Sequence, residues 1–410
     1  MQPRKPWSYF FLIFSLYYAP VLNPFFPKTN FGAGIPDFGL LELSLFLWVM
    51  FFLLDFTLKT LTIPKQNNPK LWLSSLGFYT LVVVISVLWS QESYNAANIR
   101  DLFFTVFLPF MVVFLARYYV FLPGVITGLI WHAMFSCFLL SIISIVHFSL
   151  HQGATFNELR ASFGGLGNPN GMAIFLVMNI PIILYGLYKG LCNKKIAFLT
   201  LVSIALGVCG TISRKGFVTL GMSYFIFLFL SKRFKVLMLF IFLFALLTTA
   251  VVGQRYMSKR YNRSSINKEF TGKWNMALAG IDMFIKKPLY GWGYKGYYNN
   301  FGRYFKYAVR RKYDAHNNYI TVLANYGLLG FLPFLTIFIC PIFKAIKAMW
   351  LSQNLLSDQS LSAIALLAMI VPFMCSAWFA GKLMYKPVIT SLFYVYIVLF
   401  LYKLSEPEPE

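Results

Sequence analysis

PLYGWGYKGYYNNF (residues 288–301) and DAHNNYITVLANYGLLG (314–330) close the one long break in an otherwise apolar chain. The break opens at Gly253, and the sequence turns apolar again within the second stretch. Residues 253–330 carry 14 of the 36 Lys and Arg, and against them stand only Glu269, Asp282 and Asp314. A strongly cationic segment with one titratable imidazole, His316, mounted between apolar runs, is suited to meet something anionic.

Working outward from that break, the composition excludes an ordinary soluble domain. Hydrophobic residues fill 59% of 410 positions and charged ones 12%, far from soluble averages. Apolar runs lie near 7–22, 38–58, 71–89, 101–116, 123–148, 168–188, 196–212, 216–231, 234–252, 319–342, 361–379 and 385–402. Each approaches the about 20 residues that cross a hydrocarbon core. They predict an all-α, polytopic integral membrane protein with about 12 transmembrane helices. It forms one membrane domain over 1–410, with 253–318 as its single long loop, containing short helices.

The formal charge of +23 would suggest nucleic acid in a soluble protein, but membrane topology accounts for part of it, and no nucleic-acid partner is expected. With a cytoplasmic N-terminus the inner segments hold 15 cations and the short outer loops 7. That bias sets both ends inside and 253–318 outside, since long segments translocate largely regardless of charge. Cys137, Cys192, Cys209, Cys340 and Cys375 are scattered and form no disulfide framework. MQPRKPWSYFFLIFSLYYAPVL lacks a small-residue cleavage site and reads as an uncleaved first span.

Within the loop, Trp274, Ala277, Leu278, Ile281, Phe284 and Ile285 repeat at helical spacing. The pattern predicts a helix over 273–287, with Thr271 as N-cap, Pro288 closing it and Lys273 in its first turn. Such a helix can lie on the membrane with its apolar face down. No GxSxG, Walker loop, HExxH or paired outer carboxylates occur. No metal and no cofactor are therefore expected, and an anionic leaving group would be neutralised by Arg and Lys.

His316 suits proton transfer. It equally suits a histidine that hydrogen-bonds at a helix start beside Asp314 or Asn317, and by itself the second reading is the plainer. Arg214, in GTISRKGFV between two spans, is expensive unless it meets an anion, a polar cavity or a lipid phosphate. Arg160 precedes SFGGLGNPNG, whose glycines and Asn-Pro fit an irregular backbone at a span entrance or an ordinary turn. His147 and His151, at i and i+4, have metal-binding spacing but no third ligand, and read as interfacial.

These pieces, in this order over roughly residues 155–335, resemble the superfamily of bacterial O-antigen ligases and O-antigen polymerases. RASFGGLGNPNGMAIFL enters a span, and TISRKG is similar to the family's T-x-S/T-R. TGKWNMALAGIDMFIKKPLYGWG is similar to its helix ending in P-L-x-G-x-G, with Lys273 where the family has arginine. His316-Asn317, nine residues, then Gly327 and Gly330 look like the ligase signature H-N-x9-G-x-x-G. The ten-residue separation of Arg160 from Gly171 looks like a motif of the polymerase branch.

The resemblance implies a GT-C-like inverting glycosyltransferase that works without metal, in a bacterial inner membrane with its site facing the periplasm. The donor would be a glycan on undecaprenyl diphosphate. The acceptor would be lipid A core for a ligase, or a second lipid-linked glycan for a polymerase. Arg214, Lys273 and Arg160 would hold the diphosphate, with His316 as general base, supported by Asn317 and Asp314. From another class, a lipid-linked oligosaccharide flippase would also be basic and aromatic, but it would keep its cations along a central cavity between short loops.

Overall fold

The computed structural model describes residues 6–19, 40–57, 69–90, 96–119, 122, 124–151, 169–233, 235–236, 239, 263–305, 315–352, 354, 357–379 and 387–405. Every regular element among them is helical. In chain order these are α1 (Trp7–Ile13), α2 (Leu40–Thr57), α3 (Lys70–Ile85), α4 (Ala96–Leu102), α5 (Leu108–Ala116) and α6 (Val125–Leu150). There follow α7 (Pro169–Met178), α8 (Ile180–Tyr188), α9 (Lys194–Gly210), α10 (Arg214–Leu230), α11 (Arg263–Lys286) and α12 (Gly296–Tyr304). The last are α13 (Asn318–Leu351), α14 (Asp358–Trp378) and α15 (Pro387–Lys403).

Among the described residues, five helical stretches are long and apolar enough to cross a membrane: Lys70–Trp89, Val125–Leu150, Pro169–Tyr188, Asn318–Leu351 and Asp358–Trp378. The expected spans at 7–22, 38–58, 101–116, 196–212, 216–231 and 385–402 are helical in their described parts, but shorter. Most of the expected span 234–252 lies outside the described residues, as do Arg160 and Asp314.

Polar contacts fix which helix ends lie together. Asp358, at the start of α14, meets Lys189 Nζ at 3.4 Å and Lys403 Nζ at 3.9 Å, and accepts from Tyr185 Oη at 2.6 Å. Lys189 follows α8 and Lys403 ends α15, so both run antiparallel to α14. At the other end, Tyr319 Oη donates to Met374 O at 3.1 Å, bringing the start of α13 to the finish of α14. Gly293 packs on Ser86 and Ser90, which adds the C-terminal end of α3. The bundle therefore has two rims, one marked by Lys189, Asp358 and Lys403, the other by Ser90, Gly293, Tyr319 and Met374.

Prolines inside α13 have a local consequence. Pro341 has no N–H, which leaves the carbonyl four residues back without its helical donor. Trp72 Nε1, itself 0% exposed, supplies it, donating to Ile337 O at 2.8 Å. The apolar contacts between α3 and α13 (Tyr79 on Tyr326 and Phe334) then continue toward the second rim.

Candidate functional site at one end of the bundle

α13 is two helices run together across Gly327, which sits at φ 58° and ψ −158°. That break frees backbone groups, and the 288–293 turn takes all four that matter. Trp292 N and Gly293 N donate to Ala324 O (3.0 Å) and Asn325 O (2.7 Å). Leu328 N and Leu329 N donate to Pro288 O (2.8 Å) and Leu289 O (3.1 Å). Asn325, 2% exposed, also accepts from Tyr297 N at 2.6 Å through Oδ1. A Cβ on Gly291 would lie 2.4 Å from Asn325 O, and one on Gly327 2.5 Å from Leu289. The two glycine motifs of the sequence are thus the two halves of one interlock.

On that interlock sits a small apolar cluster of Ala279, Met283, Tyr297, Phe301, Ala315 and Ala324. It binds α11 and α12 to the start of α13. α11 begins ten residues earlier than the sequence suggests: Thr271 lies inside it, not at its cap, and Lys273 is in mid-helix. The apolar periodicity resumes only at Trp274, whereas RSSINKEFTG ahead of it is polar yet helix-compatible, so pattern alone starts the helix too late. Lys273 therefore brings an ammonium, with no free helix-end N–H groups around it. The predicted apolar face remains outside (Trp274, Leu278 and Ile285 are exposed), while Ala279, Gly280 and Met283 face the protein. Gly280 abuts Ile320; Lys273 lies two turns before it on the same face.

His316 immediately precedes α13. Asn317 is the N-cap, with φ −147° and its Oδ1 accepting from Ile320 N at 3.1 Å. His316 is held at φ 51°, and its ring is exposed while Ala315 and Asn317 on either side are buried. Asn317 makes the capping hydrogen bond at this helix start. A non-glycine residue held left-handed costs free energy that the surrounding fold must offset.

Arg214 opens α10. Ser213 caps that helix, accepting from Gly216 N at 3.1 Å and donating to Asn170 Oδ1 at 2.7 Å. Ile212 turns the chain there at φ 48°. Asn170 belongs to the Asn-Pro-Asn-Gly stretch that starts α7, so the first two sequence pieces also touch. Arg214 and Lys215 are half-buried in the first turn, where cations sit among N–H groups without helical acceptors and an anion is favoured. One small cavity lined by Ile174, Thr219, Pro372 and Ser376 joins α7, α10 and the outer part of α14. Through α14, the starts of α10 and α13 share a rim. Arg214, His316 and the helix of Lys273 are brought to that rim, while Arg160 and Asp314 lie outside the described residues.

Sequence reasoning missed Asn325 and Asn170, whose side chains tie the pieces together in pairs. Both stood within quoted motifs (LANYG and NPNG), but a buried asparagine carries no periodicity to betray it. It also missed Lys295, held at φ 54° with Nζ 3.1 Å from Asp101 Oδ2 and 3.0 Å from Asn98 Oδ1. Among the described residues, no three His, Cys, Asp or Glu side chains stand together as a metal site.

The family described as O-antigen ligase matches residues 199–335. Arg214, Lys273, His316 and Asn317 fall inside the matched stretch, and Arg160 falls before it. No curated protein matches the chain.

Proposed function

From the match of residues 199–335 to the family described as O-antigen ligase, we propose that this chain is an inverting glycosyltransferase of the ligase type. It moves a glycan from undecaprenyl diphosphate to a hydroxyl of the lipid A core, on the periplasmic face of a bacterial inner membrane. The observation carrying this reading is the sharing of one rim by the start of Arg214's helix, the helix of Lys273 and the exposed ring of His316.

Chemistry follows from what each group offers. Neutral imidazole at His316 takes the proton of the acceptor hydroxyl as its oxygen attacks the anomeric carbon opposite the diphosphate. The new carbon–oxygen bond forms as the bond to the diphosphate breaks, which inverts the centre. Arg214 and Lys273 balance the charge left on the phosphates, Arg214 through a planar fork and Lys273 as a single ammonium. Arg160, ahead of the Asn170 turn, joins them in this reading.

The spacing of His316-Asn317 to Gly327 and Gly330 supports ligase over polymerase. The Arg160–Gly171 spacing favours joining lipid-linked repeats, and a deletion strain separates the two. Free core with polymer stranded on its carrier marks a missing ligase; core bearing single repeats marks a missing polymerase. For the chemistry, the test is His316→Gln. The variant should fold and bind lipid-linked donor, but lose about 10²–10⁴-fold in transfer. In wild type, transfer should fall as the medium turns acidic and imidazole charges. Near-normal transfer by His316→Gln would move the base elsewhere.

A further inference from the structure

Two histidines outside the family-matched stretch occupy the same rim. Ala133, Leu140 and Ser144, each 0% exposed, form a stripe on α6 that runs on at helical spacing into His147 and His151. The pair therefore lies on the bundle-facing side of α6. Ser144 Oγ donates to Gly207 O at 2.7 Å. A Cβ on Gly207 or Gly210 would collide with Ser141 or Ser144 respectively, so α6 and α9 run parallel in close register. One turn further out, His147 comes level with the turn at 211–214 that begins Arg214's helix.

The pair is ordered. Its rings stack with centroids 4.2 Å apart, inclined by 16°. His151 Nδ1 lies 2.9 Å from His147 O. A carbonyl only accepts, so Nδ1 carries the hydrogen and Nε2 keeps the lone pair. His147 Nδ1 is buried without a partner. Fixing one ring nitrogen on a backbone carbonyl prepares the other for a proton or a ligand. Among the described residues, the turn level with His147 leads into Arg214 and Lys215. α6 has no Asp, Glu, Lys or Arg, α9 ends there in Gly210, and α7 offers only the neutral Asn170.

We propose that His151, oriented by His147, is a second contact for the lipid-linked donor: Nε2 takes up one proton as the diphosphate binds and donates a hydrogen bond to a phosphate oxygen. This rests on the glycan-transfer reading and sets the diphosphate between Arg214 and the stacked imidazoles. No covalent bond changes at His151; its proton enters from solvent with the anion and departs with it.

The test measures binding of undecaprenyl diphosphate to the purified full-length protein at about pH 6 and about pH 8. Wild type should bind about tenfold more tightly than His151→Gln at the lower pH and equally at the higher. His147→Gln removes the stacked ring that orients His151 and should weaken binding at the lower pH. His151→Asn, which also fits a helix end, replaces the glutamine variant if that one does not fold. Equal binding by wild type and the His151 variant at both pH values, with Arg214→Ala weakened, would overturn this inference alone. Failure of wild type to bind undecaprenyl diphosphate at either pH would remove the glycan-transfer reading as well. Saturable Zn²⁺ binding that needs both histidines and is indifferent to undecaprenyl diphosphate would assign the pair to a metal and overturn the proposal.

Discussion

Replacing Gly327 with alanine tests whether the turn at 288–293 and the break in α13 form one interlock. Gly327 occupies a region of backbone space essentially reserved for glycine, at φ 58° and ψ −158°. An added Cβ would lie 2.5 Å from both C and O of Leu289 and 2.7 Å from Pro288 O. These are backbone atoms, so no side chain can swing aside; the turn must withdraw. Backbone strain alone costs about 1–3 kcal/mol. Withdrawal also weakens the bonds from Leu328 N and Leu329 N, each contributing about 0.5–1.5 kcal/mol. The total is about 2–6 kcal/mol, concentrated where α11 and α12 join α13. Gly221→Ala is the matched control, because a Cβ there meets nothing within 4 Å and alanine suits a helix better by about 1 kcal/mol. The assay is thermal unfolding of purified protein in detergent, followed by tryptophan emission, with glycan transfer measured in parallel. Trp292 is a local reporter, since its Nε1 donates to Met283 O at 2.9 Å. Gly327→Ala should unfold well below wild type and lose transfer, while Gly221→Ala matches or exceeds wild type. Wild-type unfolding and transfer in Gly327→Ala would refute the interlock.

Two further outcomes follow from the cations. Arg214→Ala, at normal protein level, should lose at least about tenfold in transfer, whereas Lys273→Arg should keep it by supplying the family's own residue; full activity in Arg214→Ala would reassign that guanidinium to lipid phosphate. Purified enzyme should transfer glycan in excess EDTA, because the sequence offers cations and no clustered outer carboxylates for the diphosphate; loss of turnover restored by Mg²⁺ or Mn²⁺ would remove the role given to Arg214 and Lys273.

Much of this was legible in the sequence because membranes make local signals strong. Runs such as VITGLIWHAMFSCFLLSIISIVHFSL state a crossing helix by length and apolarity alone. The start of α11 was illegible because RSSINKEFTG is polar but contains nothing that forbids a helix. The pairing of the motifs was illegible for another reason. Glycines at 291 and 327 announce unusual backbone, but nothing local says that each accommodates the other's chain across 35 intervening positions. The same holds for Asn170 with Ser213, and for His147 and His151, whose spacing suggested a ligand pair but whose position beside Arg214 depends on the register of α6 on α9.

His316 and Asn317 adjoin in sequence, and the structure divides their work. Asn317 must adopt an extended φ of −147° so that Oδ1 can reach Ile320 N. The preceding residue then turns through the left-handed region, which throws the His316 ring outward. Glycine or asparagine adopts that conformation more readily than histidine. His316→Gly should therefore relieve strain and stabilise the protein by about 1–2 kcal/mol, while abolishing transfer. Asn317→Ala should show the reverse pattern: it loses about 0.5–2 kcal/mol with the cap and keeps measurable transfer at temperatures where it stays folded. Thermal unfolding and transfer measured on both variants separate the roles. If His316→Gly is both less stable than wild type and still active, the left-handed imidazole belongs to the fold and the reaction uses another base.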